Sequence, residues 1–157
     1  GHTSVIEHVS ATFRIEGISR SCLAQLTRHR MASFSVMSQR YCEIGGDDWH
    51  VIPPSVIEAG EEVGFCAEME KAAKAYRRMI AKGVKREDAR FLLPEATKTS
   101  LVMTVNMRSL QNFLGLRLDK AAQWEIRELA EQIEQALMEI GGEWSELMAL
   151  LREVRNG

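Results

Sequence analysis

The stretch Arg28–Tyr41, with the sequence RHRMASFSVMSQRY, decides how the fold and function of this chain are interpreted. It contains three arginines, a histidine and four hydroxyl side chains. Guanidinium groups bind phosphate through paired, charge-assisted hydrogen bonds, and serine hydroxyls add neutral donors. The segment therefore predicts an anion site.

The remainder of the chain shows that this basic character is local. The 157 residues carry a formal net charge of -2, whereas general nucleic-acid binding usually shows as a wider basic surface. No apolar run approaches the ~20 residues that a membrane span needs. We therefore expect a small phosphorylated ligand, with neither nucleic acid nor membrane as a partner.

Length, composition and cysteine spacing predict a single cytoplasmic domain covering residues 1–157. Hydrophobic content is 45% and charged content is 27%, as in ordinary globular proteins. The cysteines Cys22, Cys42 and Cys66 are odd in number and lack C-x-x-C spacing, which argues against a disulfide framework or a zinc site.

Hydrophobic periodicity predicts a helix-dominated α+β fold with a small, mostly antiparallel sheet. Gly17 is expected to end the first strand, Ser19 to cap the first helix, and Gly83 to stop the longest helix. Residues 45–48 are expected to form a turn. The predicted strands are 9–15 and 99–105, and the predicted helices are 19–29, Pro54 or Glu61 to Lys82, 85–92, 106–116, 121–140 and 143–154.

Polar residues outside the arginine-rich stretch also call for an explanation. Arg90 follows Ala89 in an apolar setting and needs a counter-charge, for which an internal partner such as Glu87 or Asp88 is one candidate. Gln25 and Arg28 are three residues apart, so a helix would place them on one face. Amphipathic packing does not explain the arginines and asparagines of residues 106–117, NMRSLQNFLGLR.

The order of residues resembles the signature of the flavin-dependent thymidylate synthases. Seven positions at fixed spacing carry this resemblance: Arg28, His29, Arg30, Ser33, Ser38, Arg40 and Tyr41. The chain departs at Ser35, where many members have Asn, and at Val36, where many have Gln or Glu. The N-terminal residues GHTSVIEH also fit a family pattern, and the resemblance runs to about Arg127. Members have several tens of residues before this point, so we expect an N-terminal segment to be missing.

The resemblance implies a role for individual residues. Arg117 matches the arginine that faces the uracil ring, and is the candidate catalytic residue. The residues implied to bind substrate are Gln25, Arg28, Ser38, Gln39, Arg40, Arg90 and Arg117. The residues implied to bind the flavin cofactor are His2, Ser4, Arg28, His29, Arg30, Asn106, Arg108 and Asn112. The alternative for Arg117 is a structural salt bridge to Asp119 or to a glutamate of the next helix.

The activity implied by the resemblance is the reductive methylation of dUMP to dTMP. Methylenetetrahydrofolate would give the carbon, NADPH would reduce FAD, and the enzyme would be a homotetramer with active sites shared between subunits. One alternative is a nucleotide- or phosphate-binding module without turnover. A further alternative is a metal-dependent hydrolase that uses His2, Glu7 and His8, although their spacing is not that of a known zinc helix.

Overall fold

The computed structural model describes residues 3–42, 48–142 and 146. Within this part of the chain, helices predominate over a sheet of three strands, which confirms the predicted α+β class. The strands are β1 (Ser10–Ser19), β2 (Ala32–Val36) and β3 (Lys98–Asn106). The α-helices are α1 (Arg20–Leu26), α2 (Pro54–Glu58), α3 (Glu62–Ala81), α4 (Arg86–Ala89), α5 (Met107–Arg117) and α6 (Trp124–Ile140). Two 3-10 turns cover Thr3–Glu7 and Arg90–Leu92.

The sheet has the order β1-β3-β2. Arg20 N–H donates to the carbonyl of Thr97 over 3.0 Å, and Met107 N–H donates to the carbonyl of Val9 over 2.8 Å. Because one end of β1 pairs with the opposite end of β3, these two strands are antiparallel. The sheet therefore has the predicted size and character.

Strand β1 is longer than the sequence predicts, because Gly17 does not end it. Gly17 has a φ of 76° and lies inside the strand, which continues to Ser19. Glycine has no Cβ, so it can take up a positive φ as a local irregularity without ending the strand. The prediction that Gly17 terminates β1 is wrong. The predicted cap is confirmed, since Ser19 Oγ accepts a hydrogen bond of 2.9 Å from Cys22 N–H.

Helix α1 is shorter than predicted and ends at Leu26. The next N–H groups, those of Arg28 and His29, reach the carbonyls of Gln25 and Leu26 in a tighter turn, at 3.4 and 3.1 Å. Arg28 therefore lies beyond the helix, and the prediction that it shares a helical face with Gln25 is wrong.

The sequence analysis missed strand β2, which lies within the arginine-rich stretch. Its residues alternate, with Ser33 and Ser35 exposed and Ala32, Phe34 and Val36 half-buried. This is the period of two that a strand requires. The signal is weak because only Phe34 and Val36 are large and apolar. The two serines thus occupy the exposed positions of an edge strand.

Most other boundaries agree with the predictions to within three residues. Gly60, with a φ of 71°, separates α2 from α3, and Gly83 follows the end of α3 with a φ of 85°. Helix α6 begins later than predicted because Gln123 caps it, its Oε1 accepting from the N–H groups of Glu125 and Ile126. Of the predicted helix 143–154 only residue 146 is described, and most of the predicted turn 45–48 lies outside the described residues.

The chain divides into two compact units. The first contains the described residues up to Arg14, Gln25–Phe34 and those from Val102 onward. Its core forms where α5 packs against α6 and the first 3-10 turn. The fully buried side chains there include Met107, Leu110, Phe113, Ile126, Ala130 and Leu137.

The second unit contains Ile15–Ala24 and, within the described residues, the chain from Ser35 to Leu101. Its buried cluster consists of Trp49, Ala73, Tyr76 and Ala89. Helix α3 contributes Ala73 and Tyr76, while Ala89 ends α4. In the described part of the chain, no helix is both long enough and apolar enough to cross a membrane.

Candidate functional site

The first unit contains a cavity of about 1030 Å³. Small-molecule sites commonly have volumes of roughly 300–1,000 Å³, so this one is large enough for an extended ligand. The turn after α1, the start of β2, the end of β3 and α5 form its walls. Seven predicted site residues line it: Arg28, His29, Arg30, Asn106, Arg108, Asn112 and Arg117.

The charge of the cavity lining favours an anion. Arg28, Arg30 and Arg108 are all exposed in this lining, and the acidic residue with them is Glu7. Guanidinium groups suit phosphate because they donate hydrogen bonds in pairs and stay charged. The sequence analysis named Glu7 only in the alternative of a metal-dependent hydrolase. No spacing pattern indicated that Glu7, at the end of the first 3-10 turn, lines this cavity.

Helix α5 is held at its first turn by Asn106. The Asn106 Oδ1 atom accepts a hydrogen bond of 2.8 Å from Ser109 N–H, as a helix N-cap does. That oxygen is committed to the helix, so a ligand would meet the amide –NH2 group of Asn106. Arg108 donates to Gln111 Oε1 over 2.8 Å, which fixes a second side chain of the same turn.

The predicted catalytic arginine is held by two hydrogen bonds. Arg117 Nε donates to His29 Nε2 over 3.1 Å, and Arg117 Nη2 donates to the backbone carbonyl of Gln25 over 3.3 Å. The structure thus places Gln25 next to Arg117 through its main chain. A salt bridge from Arg117 to Asp119, the structural alternative, is not among the contacts of the described residues.

The imidazole of His29 is packed as well as hydrogen-bonded. Its ring meets the ring of Phe113 edge to face, with centroids 4.9 Å apart and planes at 77°. Burial lowers the pKa of His29, and the positive charges of Arg117 and Arg28 lower it further. His29 is therefore neutral at neutral pH, and can accept a hydrogen bond from a guanidinium group.

The second unit contains the other predicted arginines. Arg40 pairs with the carboxylate of Glu87, with Nη2 and Nε at 2.7 and 2.8 Å from Oε2. Arg90 Nε donates to the backbone carbonyl of Glu87 over 3.0 Å. Glu87 is thus the internal partner considered for Arg90, but the contact uses its main chain. The carboxylate of Glu87 is directed to Arg40 instead.

The segment between β2 and Cys42 forms a turn around Ser38. The Ser38 carbonyl accepts from the N–H groups of Tyr41 and Cys42, and its Oγ accepts from Arg40 N–H over 3.3 Å. The guanidinium carbon of Arg40 lies 5.5 Å from the centroid of the Tyr41 ring. Gln39, another predicted substrate residue, is buried in this turn with a relative exposure of 7%.

The remaining predicted residues lie at the N-terminus. Ser4 is an exposed residue of the first 3-10 turn, and it is not part of the cavity lining. His2 lies outside the described residues. Within the residues that are described, no group of three or more His, Cys, Asp and Glu side chains could hold a metal ion.

An α+β fold with a large arginine-lined cavity has the size and charge that a site for a phosphorylated ligand or cofactor requires. Residues 1–140 match the model of the family described as thymidylate synthase complementing protein. The chain belongs to this family, as the resemblance of its motifs predicted.

Two relatives and one solved structure illustrate the similarity. The flavin-dependent thymidylate synthase of Geobacter sulfurreducens is 48% identical over 135 residues, which are 85% of this chain and 58% of that protein. The enzyme of the same name from Pyrococcus furiosus is 46% identical over 134 residues, or 83% of this chain and 55% of that protein. This chain therefore spans less than two thirds of either relative.

The structural comparison agrees. The crystal structure of flavin-dependent thymidylate synthase from Helicobacter pylori, complexed with FAD and dUMP, has a TM-score of 0.78 and 32% identity. The match covers 94% of this chain and 75% of that one.

Proposed function

We propose that this chain acts as a flavin-dependent thymidylate synthase, or as the conserved part of one. The reaction is the reductive methylation of dUMP to dTMP, with methylenetetrahydrofolate as carbon donor and NADPH as reductant. The observation that carries the proposal is the cavity of the first unit, since seven of the residues singled out by the family motifs line it.

The cavity fits FAD by its size and by its donors. Three exposed arginines supply charge-assisted hydrogen bonds for a diphosphate, and the side chains of Asn106 and Asn112 supply amide donors. We assign Arg28, His29, Arg30, Asn106, Arg108 and Asn112 to the cofactor, with Ser4 and His2 as further contacts. FAD, when bound, supplies the hydride chemistry, and the protein contributes orientation and electrostatics.

Two separate sets of residues are assigned to the nucleotide substrate. Arg40 and Arg90, with Ser38, are assigned to the phosphate of dUMP because they match the family's substrate positions, and both guanidinium groups contact Glu87. Gln25, Arg28 and Gln39 complete the substrate set; the burial of Gln39 favours contact through the backbone of its turn.

Arg117 has the properties of an electrostatic catalyst. Reaction at C5 of the uracil ring moves negative charge onto the ring carbonyl and N3. A guanidinium group that is already fixed by His29 and Gln25 can stabilise that charge without reorganising. Such a group lowers the barrier because it favours the charged transition state over the ground state.

We further propose a cytoplasmic homotetramer with active sites shared between subunits. Val63 and Phe91 are each 84% exposed, and are apolar side chains that a subunit interface would cover. No disulfide joins Cys22, Cys42 or Cys66, all of which are described residues. Sedimentation would test the assembly; a monomer that forms dTMP would refute shared sites.

Flavin binding is the first experiment. The purified chain is mixed with FAD, freed of excess by gel filtration, and its absorption spectrum is recorded before and after addition of dUMP and NADPH. We expect a yellow protein that bleaches with NADPH and forms dTMP once the folate is added.

The alternative function predicts a different result. A nucleotide-binding module without turnover would remain colourless and would still bind dUMP in a calorimetric titration. A chain that binds neither FAD nor dUMP would contradict both functions. The Arg108→Ala variant tests whether the flavin binds in this cavity, since it removes one arginine of the lining and should reduce flavin occupancy.

A further inference from the structure

The contact between His29 and Arg117 fixes which nitrogen of the imidazole carries the proton. A guanidinium group has only donors, so Arg117 Nε can approach His29 Nε2 to 3.1 Å only if that nitrogen offers its lone pair. A neutral imidazole with a bare Nε2 has its proton on Nδ1. The geometry therefore selects the neutral Nδ1–H tautomer of His29.

Two further contacts hold the pair in place. Phe113 and Arg117 are four residues apart on α5, so both are on the helix face that meets His29. The carbonyl of Gln25 accepts from Arg117 Nη2 over 3.3 Å. Among the described residues Nη1 of Arg117 has no hydrogen-bond partner, so one edge of the guanidinium is fixed and the other is available to the cavity.

We propose that His29, as the neutral Nδ1–H tautomer, is a positioning residue that holds Arg117 in the orientation in which it meets the substrate. His29 acts here through Arg117, in addition to its place in the cavity lining. Protonation of His29 would remove the acceptor and put two positive charges in contact, which would release Arg117. The activity part of this inference rests on the proposed function, whereas the tautomer does not.

The charged groups around His29 determine how a pH effect is interpreted. Arg117 approaches from α5 and Arg28 from the turn that precedes His29. Burial is the largest cause of the lowered pKa of His29, and the positive charges of these two arginines lower it further. Arg30, Arg108 and Glu7 line the same cavity. Since cations predominate, the pH at which activity is lost on acidification should lie below the ordinary histidine pKa of about 6.5.

The first test uses nitrogen NMR of the 15N-labelled full chain. We expect an unprotonated Nε2 and a protonated Nδ1 for His29 at pH about 8, and loss of this tautomer preference in Arg117→Met. Arg28→Met is the matched control, because it removes a neighbouring charge but no hydrogen bond, and should keep the tautomer. A protonated Nε2 in the unmodified chain would overturn the proposal.

The second test compares two variants of the FAD-loaded chain. His29→Gln keeps an acceptor where Nε2 lies, whereas His29→Phe keeps the ring packed on Phe113 but has no acceptor. Because His29 also lines the cavity assigned to the flavin, turnover is expressed per bound flavin. We expect kcat per bound flavin to fall by about tenfold or more in His29→Phe relative to His29→Gln. His29→Gln should retain most of the kcat and lose the acidic limb of the pH profile.

The outcomes separate this inference from the proposed function. Equal losses of kcat per bound flavin in His29→Gln and His29→Phe would show that the acceptor does not position Arg117. If the unmodified chain binds FAD but forms no dTMP, the proposed function fails, and the tautomer measurement still decides whether His29 holds Arg117.

Discussion

The carboxylate of Glu87 pairs with Arg40 through one oxygen, with Oε2 at 2.7 Å from Nη2 and 2.8 Å from Nε. Arg40 is one of the arginines assigned to the phosphate of dUMP, so an internal anion occupies the guanidinium edge that an external phosphate would use. The pair is partly exposed, with 51% of the Arg40 side chain and 35% of the Glu87 side chain accessible. An entering phosphate would compete with Glu87.

Removing the charge of Glu87 should therefore tighten nucleotide binding. We expect Glu87→Gln to lower the Kd for dUMP by up to about fivefold, since an exposed ion pair contributes up to about 1 kcal/mol. Calorimetric titration with dUMP measures the change. The control is Glu70→Gln, which removes the same charge from a pair with Arg77 on α3. Equal effects of both variants would mean that only net charge matters.

The assignment of Arg40 and Arg90 to phosphate predicts a selective loss. We expect Arg40→Ala and Arg90→Ala each to weaken dUMP binding by roughly 1.5–3 kcal/mol and to leave deoxyuridine binding nearly unchanged, because only dUMP has a phosphate to lose. Binding of both ligands is titrated for each variant, with Arg77→Ala as control. Similar losses for the two ligands would show that these arginines stabilise the folded chain and do not bind the phosphate.

Arg117→Ala should abolish thymidylate formation while FAD remains bound. The loss of one fixed donor to a developing negative charge costs on the order of 10²–10³ in turnover. Flavin occupancy and dTMP formation are measured on the same sample. Arg117→Lys keeps the charge but lacks the paired donors, so its turnover should lie between that of the unmodified chain and that of Arg117→Ala. Near-normal turnover with flavin retained would refute the catalytic role.

Two asparagines of the cavity should differ in their effect on stability. Asn106 caps α5 through its Oδ1, so Asn106→Ala should cost about 1 kcal/mol of unfolding free energy. A loss of this size corresponds to a Tm lower by about 3 °C for a chain of this length. Asn112 is exposed and caps nothing among the described contacts, so Asn112→Ala should leave the Tm unchanged.

Thermal unfolding of both variants, with Asn106→Asp as the control that keeps a capping oxygen, measures this difference. Equal Tm values for Asn106→Ala and the unmodified chain would show that the cap contributes no stability.

The two histidines with lowered pKa values predict how stability depends on pH. Burial lowers the pKa of His29, as Arg117 and Arg28 also do; burial and Lys98 lower that of His50. In the unfolded chain both protonate near pH about 6.5. Between that pH and the lower folded pKa, the unfolded state binds more protons, so the free energy of unfolding falls as pH falls.

Denaturant titrations at pH about 7.5 and about 5.5 measure this fall. His29→Gln and His50→Gln should each reduce it, because each removes one group that protonates preferentially when unfolded. The hydrogen bond from Lys98 lowers the pKa of Asp48. Asp48 therefore changes the pH dependence of stability only below pH about 4, outside this window. If neither variant alters the pH dependence of stability, its assignment to His29 and His50 is contradicted.

The sequence by itself determined the class of fold, the helices with strong periodicity and the residue types of the site. Helix α6 could be predicted because its apolar residues recur at spacings of three and four, and Gly83 marks the end of α3 because a positive φ suits glycine. The motif residues of the cavity could be named because they match the signature of the flavin-dependent thymidylate synthases; on α5, in addition, amphipathic packing does not explain the charged and amide side chains.

Tertiary structure alone decided the pairings. Strand β2 could be identified only from its pairing with β3. Two of its five residues are serines, so its apolar pattern is too weak to predict a strand. The partners of Arg117, His29 and the carbonyl of Gln25, are 88 and 92 residues away along the chain. The partner of Arg40 is 47 residues away. Local patterns report which side chains can donate or accept, whereas the packing of distant segments determines which donor meets which acceptor.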